Sequence, residues 1–352
     1  MKKPMMKPML IPYINENRDG IRFGGSQTNI AREITCDDAE SLYNLLLSIN
    51  GKSSITELSQ THAIPQKELL SILKTLKESG VIYENDATKV NFSADELIYY
   101  SRNLNFFAWI DSDALYYNYW KVQEKLKNSN VLLLGAGGTG SNCAESLARM
   151  GIGNITIIDT DMIETSNLNR QCYSISDIGK YKSLVLKKHL NSINPYIKVK
   201  NVNMYIENIS SLNTLEEIFD IIINCIDKPD NIKSIVASYA EYKNIPWILG
   251  GYASTIINNA IFTPTSKSYD DVLTENHFSD YNARMVRENN IWNWDNAIIS
   301  PIAAISGNIS ALYTMYYLTK IKYLEYSKIQ HLDFYNFQDL HNFFYIAGDN
   351  NA

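Results

Sequence analysis

The chain has 352 residues and a mass of 40.1 kDa, 45% of it hydrophobic and 20% charged. That is the make-up of a globular protein of about two domains and not of a disordered chain, which is poorer in apolar side chains. Its 32 basic and 38 acidic side chains leave a net charge of −6, the wrong sign for a duplex-binding surface, so no nucleic-acid partner is expected. No apolar run nears the ~18 residues that span a bilayer, and no apolar h-region follows the lysine- and proline-bearing N-terminus, so neither a membrane segment nor a signal peptide is expected.

Residues 1–90 read as a small α+β module. Residues 9–14 and Gly20–Phe23 look like the arms of a hairpin about Asn17-Arg18-Asp19-Gly20. Asp37 and Glu40 have the spacing of a capping box, ahead of a helix with Ala39, Leu42, Leu45, Leu46 and Ile49 on one face and Gly51 at its end. Ser54 and Glu57 open a second helix with Ile55 and Leu58 inward. Pro65 suits the first turn of a third, striped by Leu69, Leu70, Leu73 and Leu76 and stopped by Gly80. A strand follows at residues 81–83. Hairpin, three short helices and a strand predict a winged helix-turn-helix. Residues 91–128 are a connector with helical stretches, containing Tyr100-Ser101-Arg102-Asn103.

Residues 129–352 alternate strand and helix, which predicts a Rossmann-like, mostly parallel, doubly wound sheet of α/β class. Strands are expected at 131–134, 155–158, 199–204, 221–225 and 247–249, with helices at 141–150 and 180–192. Ile256–Phe262 and residues 330–336 read as an added antiparallel part, and 302–318 as a buried helix that Ala303, Ala304, Gly307 and Ala311 allow to pack closely.

The first strand runs into Gly135-Ala136-Gly137-Gly138-Thr139-Gly140, a G-x-G-x-x-G between strand and helix. Gly135, Gly137, Gly138 and Gly140 let backbone N–H groups approach a nucleotide at the positive end of a helix. Asp159, 19 residues past Gly140, ends the second strand where a ribose hydroxyl would need an acceptor. Alone this set fits NAD or FAD. Arg170 and Lys182 change the balance: a dinucleotide has no evident need of them, whereas a triphosphate suits a planar fork and a mobile point charge. Asp227 follows the fourth strand, where a carboxylate beside phosphates suits Mg2+. There is no G-x-x-x-x-G-K-[ST] in the chain, so this is an ATP site without a P-loop.

In order and spacing, Gly135–Gly140, Asp159-x-Asp161, Ser166-Asn167-Leu168-x-Arg170-Gln171, Gly179-x-x-Lys182 and Asp227 resemble the ThiF/MoeB/ubiquitin-activating-type adenylating enzymes, over roughly residues 95–262. The resemblance implies that Asp159 binds ribose, that Asp161 belongs to the same nucleotide-binding motif, that Asn167, Arg170, Gln171 and Lys182 hold the triphosphate, and that Asp227 serves the Mg2+. Tyr100-Ser101-Arg102-Asn103 matches the family's Tyr-x-Arg-x segment, so Arg102 is implied to enter a partner's site, and a homodimer with it. The residues expected to carry the chemistry are therefore Arg102, Arg170, Lys182 and Asp227.

Departures indicate the branch. Many members carry two zinc-binding C-x-x-C pairs. Here Cys36, Cys143, Cys172 and Cys225 form none, so no zinc is expected, a thioester step has no support, and a reducing cytoplasm fits. Lys228 stands where sulfur-carrier enzymes usually have Asn. With the winged-helix module in front, the chain resembles the peptide-modifying branch, of the microcin C7 and pantocin A biosynthesis type. The resemblance implies a precursor (leader) peptide bound by residues 1–90 through strand addition near Ile21–Phe23 or beside Leu69–Leu76. It also implies adenylation of a peptide carboxylate, an Asp or Glu side chain by preference, followed by intramolecular condensation. Adenylation of the C-terminus of a peptide or sulfur carrier is the alternative, and a non-catalytic peptide-binding partner is the alternative of another class. The five histidines are scattered and read as structural; segment 265–296, with Arg284, Arg287, Trp292 and Trp294, reads as a substrate loop or a surface excursion.

Overall fold

The computed structural model describes residues 1–24, 31–275, 297–335 and the strand 341–346. Of the loop expected at 265–296, Arg284, Arg287, Trp292 and Trp294 lie outside the described residues. The chain forms two compact units: residues 1–125 with 319–322, and residues 126–318 with 323–352.

In the first unit come β1 (Pro4–Met6), β2 (Pro12–Ile14), β3 (Gly20–Phe23), β4 (Arg32–Thr35), α1 (Ala39–Ser48), α2 (Ile55–Thr61), α3 (Gln66–Glu78), β5 (Ile82–Glu84), α4 (Ala94–Tyr99) and α5 (Ser101–Ile110), and then α6 (Trp120–Asn128), within which the boundary falls. The predicted hairpin is β2–β3, and it gains β4 as a third antiparallel strand; β1 pairs with β5. Ile21, Phe23, Leu45, Leu46, Leu58, Leu69, Leu73 and Leu76 form one buried core. Each such side chain contributes about 1.5–3 kcal/mol of burial.

Three local readings are corrected. The N-cap of α1 is Asp38, whose carboxylate accepts from the Ser41 N–H at 3.0 Å, while Glu40 turns to pair with Arg18. Leu70 is 47% exposed and leaves the stripe, since only positions 69, 73 and 76 face inward. Strand addition at Ile21–Phe23 is ruled out because β3 is the middle strand, bonded on both sides; the open edges belong to β2 and β4. The capping box of Ser54 and Glu57 is present as expected.

The second unit holds β6 (Asn130–Leu134), α7 (Gly138–Met150), β7 (Asn154–Ile158), α8 (Lys182–Ile193), β8 (Lys198–Val202), α9 (Ile209–Asn213), β9 (Ile221–Asn224), α10 (Ile232–Lys243), β10 (Trp247–Ala253), β11 (Ile256–Phe262), α11 (Tyr269–Glu275), α12 (Ser300–Thr319), β12 (Lys328–Asp333) and β13 (His341–Ile346). They build one sheet in the order β13-β12-β11-β10-β9-β6-β7-β8. The five strands from β10 to β8 are parallel, and β11, β12 and β13 are antiparallel. This is the Rossmann-like sheet with an antiparallel addition that the sequence predicted, with β13 as a strand it did not. Residues 131–134 and 221–223 are fully buried, as strands covered on both faces must be.

Chain order reverses between β6 and β9: β7 and β8 extend the sheet to one side, β9 and β10 to the other. Beyond the carboxyl ends of those two strands lies the crevice where an open α/β sheet takes its ligand. The glycine loop leaves β6 there, and Cys225, Ile226 and Asp227 leave β9 beside it.

Candidate nucleotide site

The glycine loop is shaped by close approaches. Gly135 sits at φ +98°, and a Cβ there would stand 2.6 Å from Ile226 Cγ2. A Cβ on Gly140 would meet the Gly135 carbonyl oxygen at 2.0 Å. Helix α7 therefore begins against its own preceding strand, at Gly138, three residues before the helix start read from sequence, and its first N–H groups face the crevice.

Asp159 receives two backbone N–H groups, from Ala136 at 2.7 Å and from Asp161 at 2.7 Å. The first of these fixes the loop against the end of β7. Burial pushes its carboxyl above the ordinary value, opposed by those N–H groups and by Lys182. Lys182 is buried at the start of α8; its Nζ donates to Asp161 Oδ2 at 2.9 Å, and its backbone N–H to the Asp161 carbonyl. The Lys182 side chain is 8% exposed and that of Asp161 66%, so the ammonium is inside and its carboxylate partner is at the rim.

The turn at residues 164–173 brings up the remaining groups. Asn167 is buried and accepts the Glu164 N–H through Oδ1 at 3.1 Å. Arg170 donates from Nη1 to the Ser166 carbonyl and to Asn169 Oδ1, each at 2.9 Å, and from Nε to the Tyr252 hydroxyl at 3.3 Å. Gln171 is buried, with its Nε2 3.9 Å from where a Cβ of Gly137 would stand, and its Oε1 has no partner among the described residues. At the end of β9 the buried Asn224 Nδ2 is likewise without a partner. Two orphaned amides at one sheet edge cost about 1–3 kcal/mol each unless a ligand or water completes them. Asp227, three residues beyond β9, is exposed.

The second unit thus gathers Gly135, Gly137, Gly138, Gly140, Asp159, Asp161, Asn167, Arg170, Gln171 and Lys182 around one loop, with Asp227 on the neighbouring connection. Arg102 is exposed on α5 in the first unit. Three contributors escaped the sequence reading. Tyr173 donates its hydroxyl to the Ala136 carbonyl at 2.7 Å. Asn142 donates to the Gly138 carbonyl at 2.7 Å and to that of Arg170 at 3.3 Å. Tyr252 is the third. Only Asn142, one helical turn into α7, had a local signal.

The cysteines are poor nucleophiles. Burial pushes the thiol of Cys143 well up, that of Cys225 up to about 12, and that of Cys172 upward as well. Cys172 Sγ lies 3.7 Å from Asn142 Oδ1.

Residues 100–349 match the sequence profile of the ThiF family. The molybdopterin-synthase adenylyltransferase of Haemophilus influenzae is 30% identical over 195 residues, 54% of this chain and 74% of that protein. Of the adenylyltransferase and sulfurtransferase UBA4 of Scheffersomyces stipitis, 32% identical over 169 residues, the match covers 36%, and it covers 47% of this chain. Among solved structures, E. coli MccB with AMPCPP and MccA superimposes with a TM-score of 0.72 at 25% identity, over 99% of this chain and 98% of that one. A second structure, the microcin C7 biosynthetic enzyme MccB with N-formylated MccA, gives 0.72 at 24% over 98% and 97%, a likeness of fold. PaaA gives 0.68 at 25% over 80% and 92%.

Proposed function

Belonging as it does to the ThiF family, the chain is an ATP-dependent adenylating enzyme, and we propose that its substrate is a ribosomally made precursor peptide. In this reading residues 1–90, as a winged helix-turn-helix recognition module, hold the leader, and the second unit activates a carboxylate of the same peptide, an Asp or Glu side chain by preference. A nucleophile from the peptide then displaces AMP to form a ring or a new amide, in the biosynthesis of a peptide antibiotic. The observation that carries the reading is coverage. Likeness to MccB, solved with MccA and AMPCPP, runs over 99% of the chain and includes the first unit, whereas likeness to the molybdopterin-synthase adenylyltransferase runs over 54%. The 30% identity to the latter favours the second reading, adenylation of the C-terminus of a sulfur carrier or peptide. A silent binding partner has less support, since it would not need the set Arg102, Arg170, Lys182 and Asp227.

The chemistry asks for charge cancellation more than for proton transfer. The attacking carboxylate is already ionised, and both reactants are anions, so the site must neutralise them and hold the acid in line with the α-phosphorus. Arg170 supplies a guanidinium tied back at Nε and Nη1, and Lys182 an ammonium that trades Asp161 for phosphate. The helix N-terminus at Gly138 adds positive potential. Asp159 accepts from ribose, and Gln171 and Asn224 have unpaired amide atoms for the nucleotide or the acid. Asp227 fits Mg2+: this ion takes one or two carboxylates together with phosphate oxygens and water, not a protein cage, and no cluster of three His, Cys, Asp or Glu side chains exists among the described residues. When bound, Mg2+ would offset charge on the departing pyrophosphate.

We infer a homodimer in which Arg102 acts on the partner's site. The exposed face of α5 supports it: Arg102, Phe106 and Trp109 follow at helical spacing, with Phe106 43% and Trp109 45% exposed, and Ile98 before them is 73% exposed. Unpaired thiols and a nucleotide substrate support a cytoplasmic setting; no helix among the described residues is long and apolar enough to cross a membrane.

The test is isotope exchange between pyrophosphate and ATP, with Mg2+ and short peptides encoded beside the gene, and mass analysis of the products. Loss of water from a peptide is the expected result. Asp227→Ala is expected to abolish AMP formation while peptide binding survives. No pyrophosphate release with the genuine peptide would overturn the reading.

A further inference from the structure

We propose that Tyr252 is a positioning residue of the nucleotide site, whose hydroxyl fixes the Arg170 guanidinium against the glycine loop; this rests on the adenylation reading above. Tyr252 lies near the end of β10, opposite Ile257 of β11, and its ring packs in the apolar cluster of Ile257, Ile298, Ile302 and Ala303. The base of the side chain is thus held by packing, and the hydroxyl is delivered to one place. There it accepts the Arg170 Nε–H at 3.3 Å, across 82 residues of sequence, and it stands 2.6 Å from where a Cβ of Gly138 would be. Gly138 opens α7, so the hydroxyl joins the guanidinium to the positive end of that helix.

A second side chain makes the same connection from the other direction. Asn142 Nδ2 donates to the Gly138 carbonyl and to the Arg170 carbonyl. Backbone and side chain of Arg170 are therefore both referenced to Gly138. A half-buried arginine on a turn would otherwise sample many rotamers, and fixing it at the moment of binding would cost affinity. Tyr252 removes part of that cost before the triphosphate arrives. A Cβ at position 138 would push the hydroxyl off Nε.

Tyr252→Phe keeps the ring in its cluster and deletes the contact. The expected result is a Kd for ATP raised about threefold by calorimetry, the scale of ordering one long side chain on binding, with the melting temperature of the nucleotide-free protein unchanged. Arg170→Ala is expected to weaken ATP binding by itself, and the double variant to be no weaker than Arg170→Ala, because the hydroxyl acts only through the guanidinium. Wild-type affinity in Tyr252→Phe, or losses that multiply in the double variant, would overturn the proposal. Should Tyr252→Phe melt early, the titrations are run below its transition temperature, where the same two outcomes decide. These readouts need only ATP, so wild-type protein that binds ATP but never releases pyrophosphate with any peptide would sink the peptide reading and leave this one standing.

Discussion

Lys182 and Asp161 form an ion pair with one partner inside and one at the rim, and that asymmetry sets what each substitution should do. Asp161→Asn leaves a buried ammonium without its carboxylate. For a pair half open to water the loss is about 1 kcal/mol, or roughly 2–4 °C in melting temperature for a domain of this size. On the proposed reading triphosphate would replace the missing charge, so the rise in melting temperature on adding ATP is expected to be larger in Asp161→Asn than in wild type; an unchanged or smaller rise would show that Lys182 does not meet the phosphates. Asp159 carries the pH dependence. Because burial raises its carboxyl in the folded chain, its contribution to stability is fullest below the ordinary carboxylate range and is lost as pH climbs through the raised value. If Asp159 accepts from ribose as proposed, nucleotide affinity runs the other way and is expected to fall as pH drops through that value, because the acceptor is the anion. Calorimetry with ATP across the acid range should show this slope in wild type and not in Asp159→Asn. The glycines and acids of this site were legible because each belongs to a short motif bound to one strand end. Tyr252 and Tyr173 were not: a tyrosine on a strand or turn has no local signature, and their partners, Arg170 and Ala136, are 82 and 37 residues away.

Helix α7 and strand β6 approach as closely as backbone allows, and Gly140 is the point of contact. With 2.0 Å between an added Cβ and the Gly135 carbonyl oxygen, Gly140→Ala must displace the helix start, and loss of several kcal/mol is expected, read as loss of cooperative thermal unfolding or of soluble yield. In the first unit Lys7 is the costly element. The residue is 3% exposed, and its ammonium donates to the Asp111 carbonyl at 2.5 Å and lies 5.9 Å from the centre of the Tyr119 ring. Burial pushes its pKa down to about 8, with Asp111 opposing and Arg32 assisting. The unfolded chain holds this proton more firmly, so the unit should gain stability as pH rises from about 8 toward 10.5. Tyr119, whose hydroxyl is pushed far up by burial and by Asp111, works against that gain above pH 10. Lys7→Met is expected to flatten the rise in a pH series of melting curves; an equally steep rise would assign it to another group. Helix positions in this unit were readable from apolar spacing. Which of two adjacent aspartates caps α1 was not, nor was the middle place of β3, because both depend on partners that sequence spacing does not name.

At the level of the assembly, the trans role proposed for Arg102 makes a quantitative prediction. Arg102→Ala and Asp227→Ala should each be inactive alone. When the two are unfolded and refolded together, half the dimers should be mixed, each with one intact site, and exchange activity should return to about a quarter of wild type. No recovery would place Arg102 in its own chain's site. Sedimentation at several concentrations checks the dimer itself. Class and sheet type were legible throughout, because the parallel strands are continuous apolar runs between helices of regular period. The strand order was not, since pairing is a property of the folded sheet.

Four residues at the carboxyl end of the long helix α12 and just beyond it complete the first unit. Thr319–Lys322 belong with the first unit: Tyr116 donates its hydroxyl to the Thr319 carbonyl, Lys322 Nζ donates to Ser112 at 3.2 Å, and Ile321 is 1% exposed. The first unit is therefore not a cassette that a cut near residue 125 would release whole. Grafting it onto another catalytic body, a natural ambition for re-targeting such an enzyme, would transplant a piece with a missing tooth, and a usable graft would have to carry a substitute for that late-coming tetrapeptide.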